Sequence, residues 1–294
     1  MRAEVEKAVE LLRDGDGGSV EQALALLQNT VFSFSMRVCG QREDAEDTMQ
    51  EVLVKSIPYL PKFDSPKALV VWLYKVAKNR CLMNRRKSKF APAQELSLEQ
   101  LLPDRRELEQ LTAEGRVNPE SFAIHSEQAS RLREAVQKLP PQYRIVLVLR
   151  DMEGLTDDEV AEITGLRTGT VRVRLHRARL FVRKELMRTW MAGAGSKVHA
   201  RRPLHEGSRQ ANCKAMFAEL SDYLDERLDD SLCEELERHI NGCRPCQAFM
   251  ATLEATIEQC RRSGRECPPP KSAKLLDELM QKYQQAKATL GPNS

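Results

Sequence analysis

At 294 residues the chain is too long for one ordinary core and has room for about two domains. Charged residues make up 30%, hydrophobic ones 41% and aromatic ones 5%, a balance that fits helical domains and argues against a β-sandwich. The net charge of +3 hides 46 basic and 43 acidic residues that are segregated along the chain, so the local blocks carry the information.

The first helix is expected over Val5 to Leu12, where apolar residues recur at helical spacing until the Gly-rich run after Asp14 breaks it. The pattern resumes over Glu21 to Val38, and a third helix is expected from about Glu43 to Ser56, stopped by Pro58 and Pro61. A fourth should run from Pro66 to about Arg86, with Pro at its first turn. Its apolar run, Ala68 to Leu73, is the longest in the chain but meets Lys75, far short of the ~18 residues of a membrane span. Glu4, Glu6 and Glu10 break the basic-then-apolar pattern of a signal peptide, so a cytoplasmic protein without membrane contact is expected.

Ala91 to Ser130 holds eight acids against three arginines, and its first part, to Asn118, has no persistent apolar face, which predicts a flexible linker. Further on, Thr156-Asp-Asp-Glu159 is a capping box that opens a helix ended by Gly165. Only Leu166 and Arg167 separate that stop from a helix starting near Thr168, the short turn of a helix-turn-helix. On this second helix Val171, Leu175, Ala178 and Val182 form an apolar stripe. Arg172, His176, Arg179 and Arg183 form a cationic stripe about 100° away. From Arg167 to Arg188 there are eight basic residues and one acid, which points to a polyanion partner; an Arg can bond a guanine edge or neutralise a phosphate.

Six of the eight cysteines lie between Cys213 and Cys267, whereas Cys39 and Cys81 stand alone. Cys213, His239, Cys243 and Cys246 give the spacing C-x25-H-x3-C-x2-C, three soft ligands and an imidazole suited to tetrahedral zinc. His239 and Cys243 should flank a helix end at Gly242, and Cys246 should open the next helix, where the dipole favours a thiolate. Cys233 is the alternative to Cys213 as fourth ligand. After Pro268 to Pro270 a short amphipathic helix is expected, carrying Leu275, Leu279 and Tyr283.

The run Leu139-Pro-Pro-Gln-Tyr-Arg-Ile-Val-Leu-Val-Leu-Arg150, then Glu153-Gly-Leu155, Glu159-Val-Ala161, Gly169-Thr-Val-Arg172 and His176-Arg-Ala-Arg179, resembles region four of extracytoplasmic-function (ECF) sigma factors. The resemblance implies that Arg172, Val173, His176 and Arg177, with Arg179 on the same helix, meet the promoter element near minus 35. Val173 replaces the polar residue common there. The first segment is similar to sigma region two. Asp44-Ala-Glu-Asp47 with Gln50-Glu51-Val52 matches the family's clamp-docking signature, which implies that Asp44, Asp47, Gln50 and Glu51 bind RNA polymerase. Asp44, Asp47 and Glu51 share one helix face, a like-charged row with a small cost of its own.

Phe63-Asp-Ser-Pro66, Trp72-Leu-Tyr74, Ala77-Lys-Asn79 and Arg85-Arg-Lys87 resemble the elements that capture an unstacked base of the minus 10 element. Asn79 would lie beside that base, its amide suited to a Watson-Crick edge, and Lys75, Lys78, Arg85 and Arg86 would flank phosphates. Trp72 is expected in the core. The resemblance also gives the acidic linker a path through the polymerase RNA channel. The cysteine segment, with Leu220-Ser-Asp-Tyr-Leu-Asp225 between its ligands, resembles a zinc-binding anti-sigma domain, here fused behind the sigma segments.

The expected architecture is therefore all-α: sigma region two over 1–90, a linker over 91–126, region four over 127–190, a second linker over 191–211, a zinc domain over 212–264, and a Pro-rich spacer with a tail helix over 265–294. Expected partners are the RNA polymerase core enzyme and promoter DNA, with a zinc ion as cofactor. No phosphate-binding Gly loop or nucleophile motif points to an enzyme, and a dimeric metal-sensing repressor is the alternative reading. About 23 residues rich in Gly, Ser and Arg join Arg188 to Asn212, an r.m.s. reach of about 25–30 Å, which would let the zinc domain contact the sigma domains of its own chain and inhibit them in cis.

Overall fold

The computed structural model describes residues 2–14, 16–63, 65–86, 95–103, 107, 126–193, 216–217, 219–264, 268 and 272–290. Among them every regular element is helical. The helices are α1 (Arg2–Asp14), α2 (Gly17–Cys39), α3 (Arg42–Ser56), α4 (Pro66–Arg86), the single turn α5 (Leu98–Leu101), α6 (Ser126–Lys138), α7 (Pro141–Leu147), α8 (Asp157–Thr164), α9 (Thr168–Gly193), α10 (Asp230–Gly242), α11 (Arg244–Arg262) and α12 (Ser272–Leu290).

Local chemistry sets several of these boundaries. Asp16 caps α2 by accepting from the amides of Gly18 and Ser19 at 2.9 and 3.0 Å, so Gly17 and Gly18 form its first turn instead of extending the break. Gly40, at φ 81°, closes the same helix in the left-handed conformation that suits glycine. The capping box before α8 forms reciprocally: the Glu159 amide donates to Thr156 Oγ1 at 3.3 Å and the Thr156 amide to Glu159 Oε2 at 2.9 Å. Gly165, at φ 74°, then ends α8, and α9 begins after Leu166 and Arg167.

The chain divides into two compact units, one made of Met1–Ala93, Arg144–Val171 and Gly264–Ser294, the other of Gln94–Tyr143 and Arg172–Ser263. In the first, α1 to α4 pack around Leu24, Leu27, Phe34, Met49, Leu53, Leu69 and Leu73, each fully buried side chain contributing about 1.5–3 kcal/mol. Helix α8 packs on α4, and the tail helix α12 packs on α2 and α3 with Leu279 and Tyr283 buried. The side chain of Leu275 lies outside the described residues.

Polar contacts seat residues 144–163 on α2 and α4. Glu153 is buried, receiving Arg37 at 2.9 Å and the Tyr74 hydroxyl at 2.7 Å. Arg144 donates to the Val38 carbonyl at 2.8 Å and Lys78 to the Ile163 carbonyl at 2.7 Å. Burial raises the Glu153 carboxyl above its ordinary range despite the opposing pull of Arg37.

In the second unit the core comprises Leu132, Ala135 and Val136 of α6, Leu175, Ala178, Val182 and Leu186 of α9, and Phe217, Leu220, Leu236, Phe249, Leu253 and Ile257 of the C-terminal part. Phe217 stacks on Phe249 with ring centroids 4.3 Å apart. The acidic segment differs from its expected linker character where it is described. Leu98–Leu101 is a helical turn, Leu101 and Leu102 are buried, and the Leu96 amide donates to the Tyr143 hydroxyl at 3.1 Å. Two adjacent leucines in a polar stretch supply the apolar surface that anchors it.

Candidate nucleic-acid and metal sites

The apolar stripe of α9 is buried as its spacing predicts: Val171, Leu175, Ala178 and Val182 all lie in the core. The cationic stripe is divided. Arg172 is exposed, Val173 is 51% exposed and Arg177 is half-buried, so the first turns of the helix present the groups expected at a DNA edge. The later residues point into the protein. His176, Arg179 and Arg183 are buried against residues 217–262, contrary to the expectation of one continuous exposed stripe.

The reason is a set of partners that meet each of these side chains in turn. His176 Nδ1 lies 2.7 Å from Ser221 Oγ. Arg179 makes a bidentate pair with Asp225, at 2.8 and 3.0 Å, with both side chains 1% exposed. Arg227 also reaches Asp225 at 2.9 Å. Arg183 donates to Thr252 Oγ1 at 2.7 Å, and its guanidinium lies 3.7 Å from the centroid of the Phe249 ring, a cation–π contact. Burial, then Arg179 and Arg177, pull the His176 pKa down to about 4, so the imidazole is neutral at pH 7. Burial lowers the Arg183 guanidinium to about 9, which leaves it charged at pH 7.

In the first unit, α3 displays Asp47 and Gln50 to solvent, with Asp44 half-buried. Glu51 pairs with Lys55 at 2.6 Å and Arg80 at 2.7 Å, and these cations lower its pKa, Lys55 contributing most. The charge repulsion expected along this face is thus partly offset by cations on α3 and α4. On α4, Lys75 and Asn79 are exposed. Lys78, expected to face phosphate, is instead buried on the Ile163 carbonyl, and burial lowers its pKa. The side chains of Arg85 and Arg86 lie outside the described residues. Trp72 is half-buried, with the Tyr59 and Phe63 rings at 5.8 and 6.0 Å, so it belongs to a surface aromatic cluster more than to the core.

The expected metal ligands converge. Helix α10, capped by Asp229 on the Leu232 amide at 3.0 Å, ends at Gly242; Cys243 follows in extended conformation, and Cys246 sits in the first turn of α11. This chain path brings a ligand atom from each of His239, Cys243 and Cys246 within 4.8 Å of the others, with His239 Nε2 3.2 Å from Cys246 Sγ. The distances and the soft donor set fit a tetrahedral zinc ion, whose ligands lie about 2.0–2.3 Å from the metal. Cys213 lies outside the described residues. Cys233 does not join the cluster: its thiol faces the Leu228 carbonyl at 3.8 Å, and burial, then Glu237, Asp230 and Asp229, push its pKa up. Two further cysteines escape the reading by spacing, because Cys39 and Cys81 are joined as a disulfide across α2 and α4.

No described helix is long and apolar enough to cross a membrane. Comparison with known families matches Sigma-70 region 2 over residues 24–90, Sigma-70 region 4 over 129–182, and the family described as "Putative zinc-finger" over 213–247. The ECF RNA polymerase sigma factor SigW of Bacillus subtilis (strain 168) is 28% identical over 189 residues, covering 63% of this chain and 98% of SigW. The ECF RNA polymerase sigma factor SigE of Mycolicibacterium smegmatis (strain ATCC 700084 / mc(2)155) is 31% identical over 157 residues, 53% of this chain and 57% of SigE. Among solved structures, the sigma factor RpoE in complex with the anti-sigma factor NepR from Bartonella quintana matches with a TM-score of 0.41 and 21% identity, over 56% of this chain and 95% of that one. Regions 2 and 4 in order, followed by a helical segment whose His and Cys ligands meet in space, make this chain an ECF sigma factor with a C-terminal zinc-finger domain, a protein that directs RNA polymerase to promoters.

Proposed function

We propose that this sigma factor is regulated in cis: residues 217–262, folded around a zinc ion, cover the promoter-reading helix α9. The observation that carries the reading is the Arg179–Asp225 pair, a carboxylate placed bidentately on a guanidinium in the way a DNA phosphate oxygen would be. His239, Cys243 and Cys246 hold the zinc with a fourth ligand from Cys213. The metal fixes the junction of α10 and α11 and supplies folding energy to a segment too small to fold on its core alone.

When the segment is displaced, Arg172, Val173, His176, Arg177 and Arg179 face the minus 35 element. Asn79, with Lys75, Lys78, Arg85 and Arg86, faces the minus 10 element, and Asp44, Asp47, Gln50 and Glu51 meet the polymerase clamp. The release of Lys78 requires residues 144–163 to leave α4, because its ammonium is spent on the Ile163 carbonyl. In vitro transcription with the full chain and with a chain ending at Arg188, on promoters selected by polymerase footprinting, tests the reading. Higher activity of the shorter chain is expected, and lower activity would make the C-terminal part an activator instead.

A further inference from the structure

Cys39 and Cys81 are 42 residues apart in sequence and lie on different helices, yet their Cα atoms are 5.6 Å apart, a spacing a disulfide spans without backbone movement. Their surroundings give the pairing a purpose. On α4, Tyr74, Lys78 and Cys81 fall at i, i+4 and i+7, on one face. On α2, Arg37 and Val38 immediately precede Cys39. Those four neighbours are the groups that seat residues 144–163, through Glu153, the Ile163 carbonyl and Arg144. The cross-link therefore joins the two helices that form this seat, at the seat itself. The loop it closes holds all of α3 and the exposed Asn79.

We propose that Cys39 and Cys81 are a reversible disulfide site, oxidised by thiol–disulfide exchange with a low-molecular-weight disulfide of the glutathione class, and that the bond fixes the α2–α4 spacing on which residues 144–163 dock. One protein thiolate attacks the small disulfide and expels one small thiolate, leaving a mixed disulfide. The second protein thiolate attacks the protein sulfur of that adduct and expels the other small thiolate. Two protein thiols lose two electrons and two protons, and one small disulfide becomes two thiols. Cys39 is the point of entry: it is 6% exposed against 1% for Cys81, and it ends its helix beside the left-handed Gly40, where a small backbone opening uncovers the sulfur. The proposal is independent of the regulatory reading, since it concerns only α2, α4 and the segment they carry.

The test uses the full-length, zinc-loaded chain, fully reduced and then equilibrated in glutathione buffers from all reduced to all oxidised. After thiols are blocked in denaturant, digestion without reductant and mass spectrometry should show a peptide linked through Cys39 and Cys81 that grows with the oxidised fraction and vanishes with dithiothreitol. The melting midpoint should rise by about 5–10 °C on oxidation, because the bond restricts the unfolded chain. The double variant Cys39→Ser/Cys81→Ser should lack that redox-dependent rise. Should the double variant fail to fold, Cys81→Ala serves in its place, with Cys39 then found as its glutathione adduct. Both cysteines remaining free at every ratio, or pairing with Cys233 or Cys260 instead of each other, overturns the proposal.

Discussion

Asp225→Ala is the substitution that most directly separates the cover from the helix it covers. Asp225 is not among the residues proposed to meet DNA, so its loss leaves the proposed reading surface of α9 intact. Its carboxylate receives Arg179 through both guanidinium nitrogens and Arg227 through a third bond, and Arg261 lies 3.8 Å away. Removing one partner from a buried pair costs about 3–5 kcal/mol, because the remaining charge stays desolvated. At 1.36 kcal/mol per tenfold change, the docking equilibrium should shift by roughly 100- to 5,000-fold toward the undocked form. Fluorescence anisotropy with a duplex bearing the upstream promoter element reads the shift directly, with the chain ending at Arg188 as the fully uncovered reference. A stoichiometric zinc content certifies that residues 217–262 remain folded. An Asp225→Ala protein that binds DNA no better than its parent, while the Arg188 truncation binds tightly, would refute the reasoning that this pair is the latch.

The zinc site should hold one ion per chain, and His239→Ala or Cys243→Ser should lose it and expose residues 217–262 to proteolysis while α1 to α4 stay protected; metal analysis of a reduced preparation checks the stoichiometry. His176 is depressed to about 4 from 6.5, so its contribution to docking is complete above pH 6.5 and is lost as pH falls toward 4, where the undocked imidazole binds a proton that the buried one refuses. Hydrogen exchange across α9 should show that loss, and His176→Gln should flatten it. Arg172→Ala should weaken upstream-element binding by about 1–3 kcal/mol in a sequence-dependent way if it bonds a base, whereas equal loss on every sequence would mark a phosphate contact.

Much of the fold was legible because it is written in local signals. The reciprocal Thr156–Glu159 cap, Gly165 and the two-residue turn fix the helix-turn-helix, and Pro66 opens α4 where it should. The His239, Cys243 and Cys246 cluster follows from spacing across one helix end. What the sequence left open is tertiary. Helical periodicity separates the two stripes of α9 but does not say that Asp225, 46 residues on, covers Arg179. A lysine expected at phosphate can equally satisfy a carbonyl, as Lys78 does. Cys39 and Cys81 carry no spacing rule, since only the packing of α2 on α4 brings them face to face. Trp72 looked like core from its apolar neighbours, yet it turns toward Tyr59 and Phe63 at the surface.

The uneven exposure of α9 has a kinetic consequence. A competitor for a buried surface ordinarily waits for that surface to open by itself, so its arrival rate saturates at the opening rate. Here Arg172 and Val173 are exposed to solvent while Arg179 and Arg183 further along the same helix are covered. A duplex can therefore gain a toehold on the leading turn and advance along the helix, exchanging Ser221, Asp225 and Thr252 for phosphates one contact at a time. On the proposed reading, displacement should accelerate with DNA concentration beyond the spontaneous opening rate, so that the promoter would take part in uncovering the helix proposed to read it.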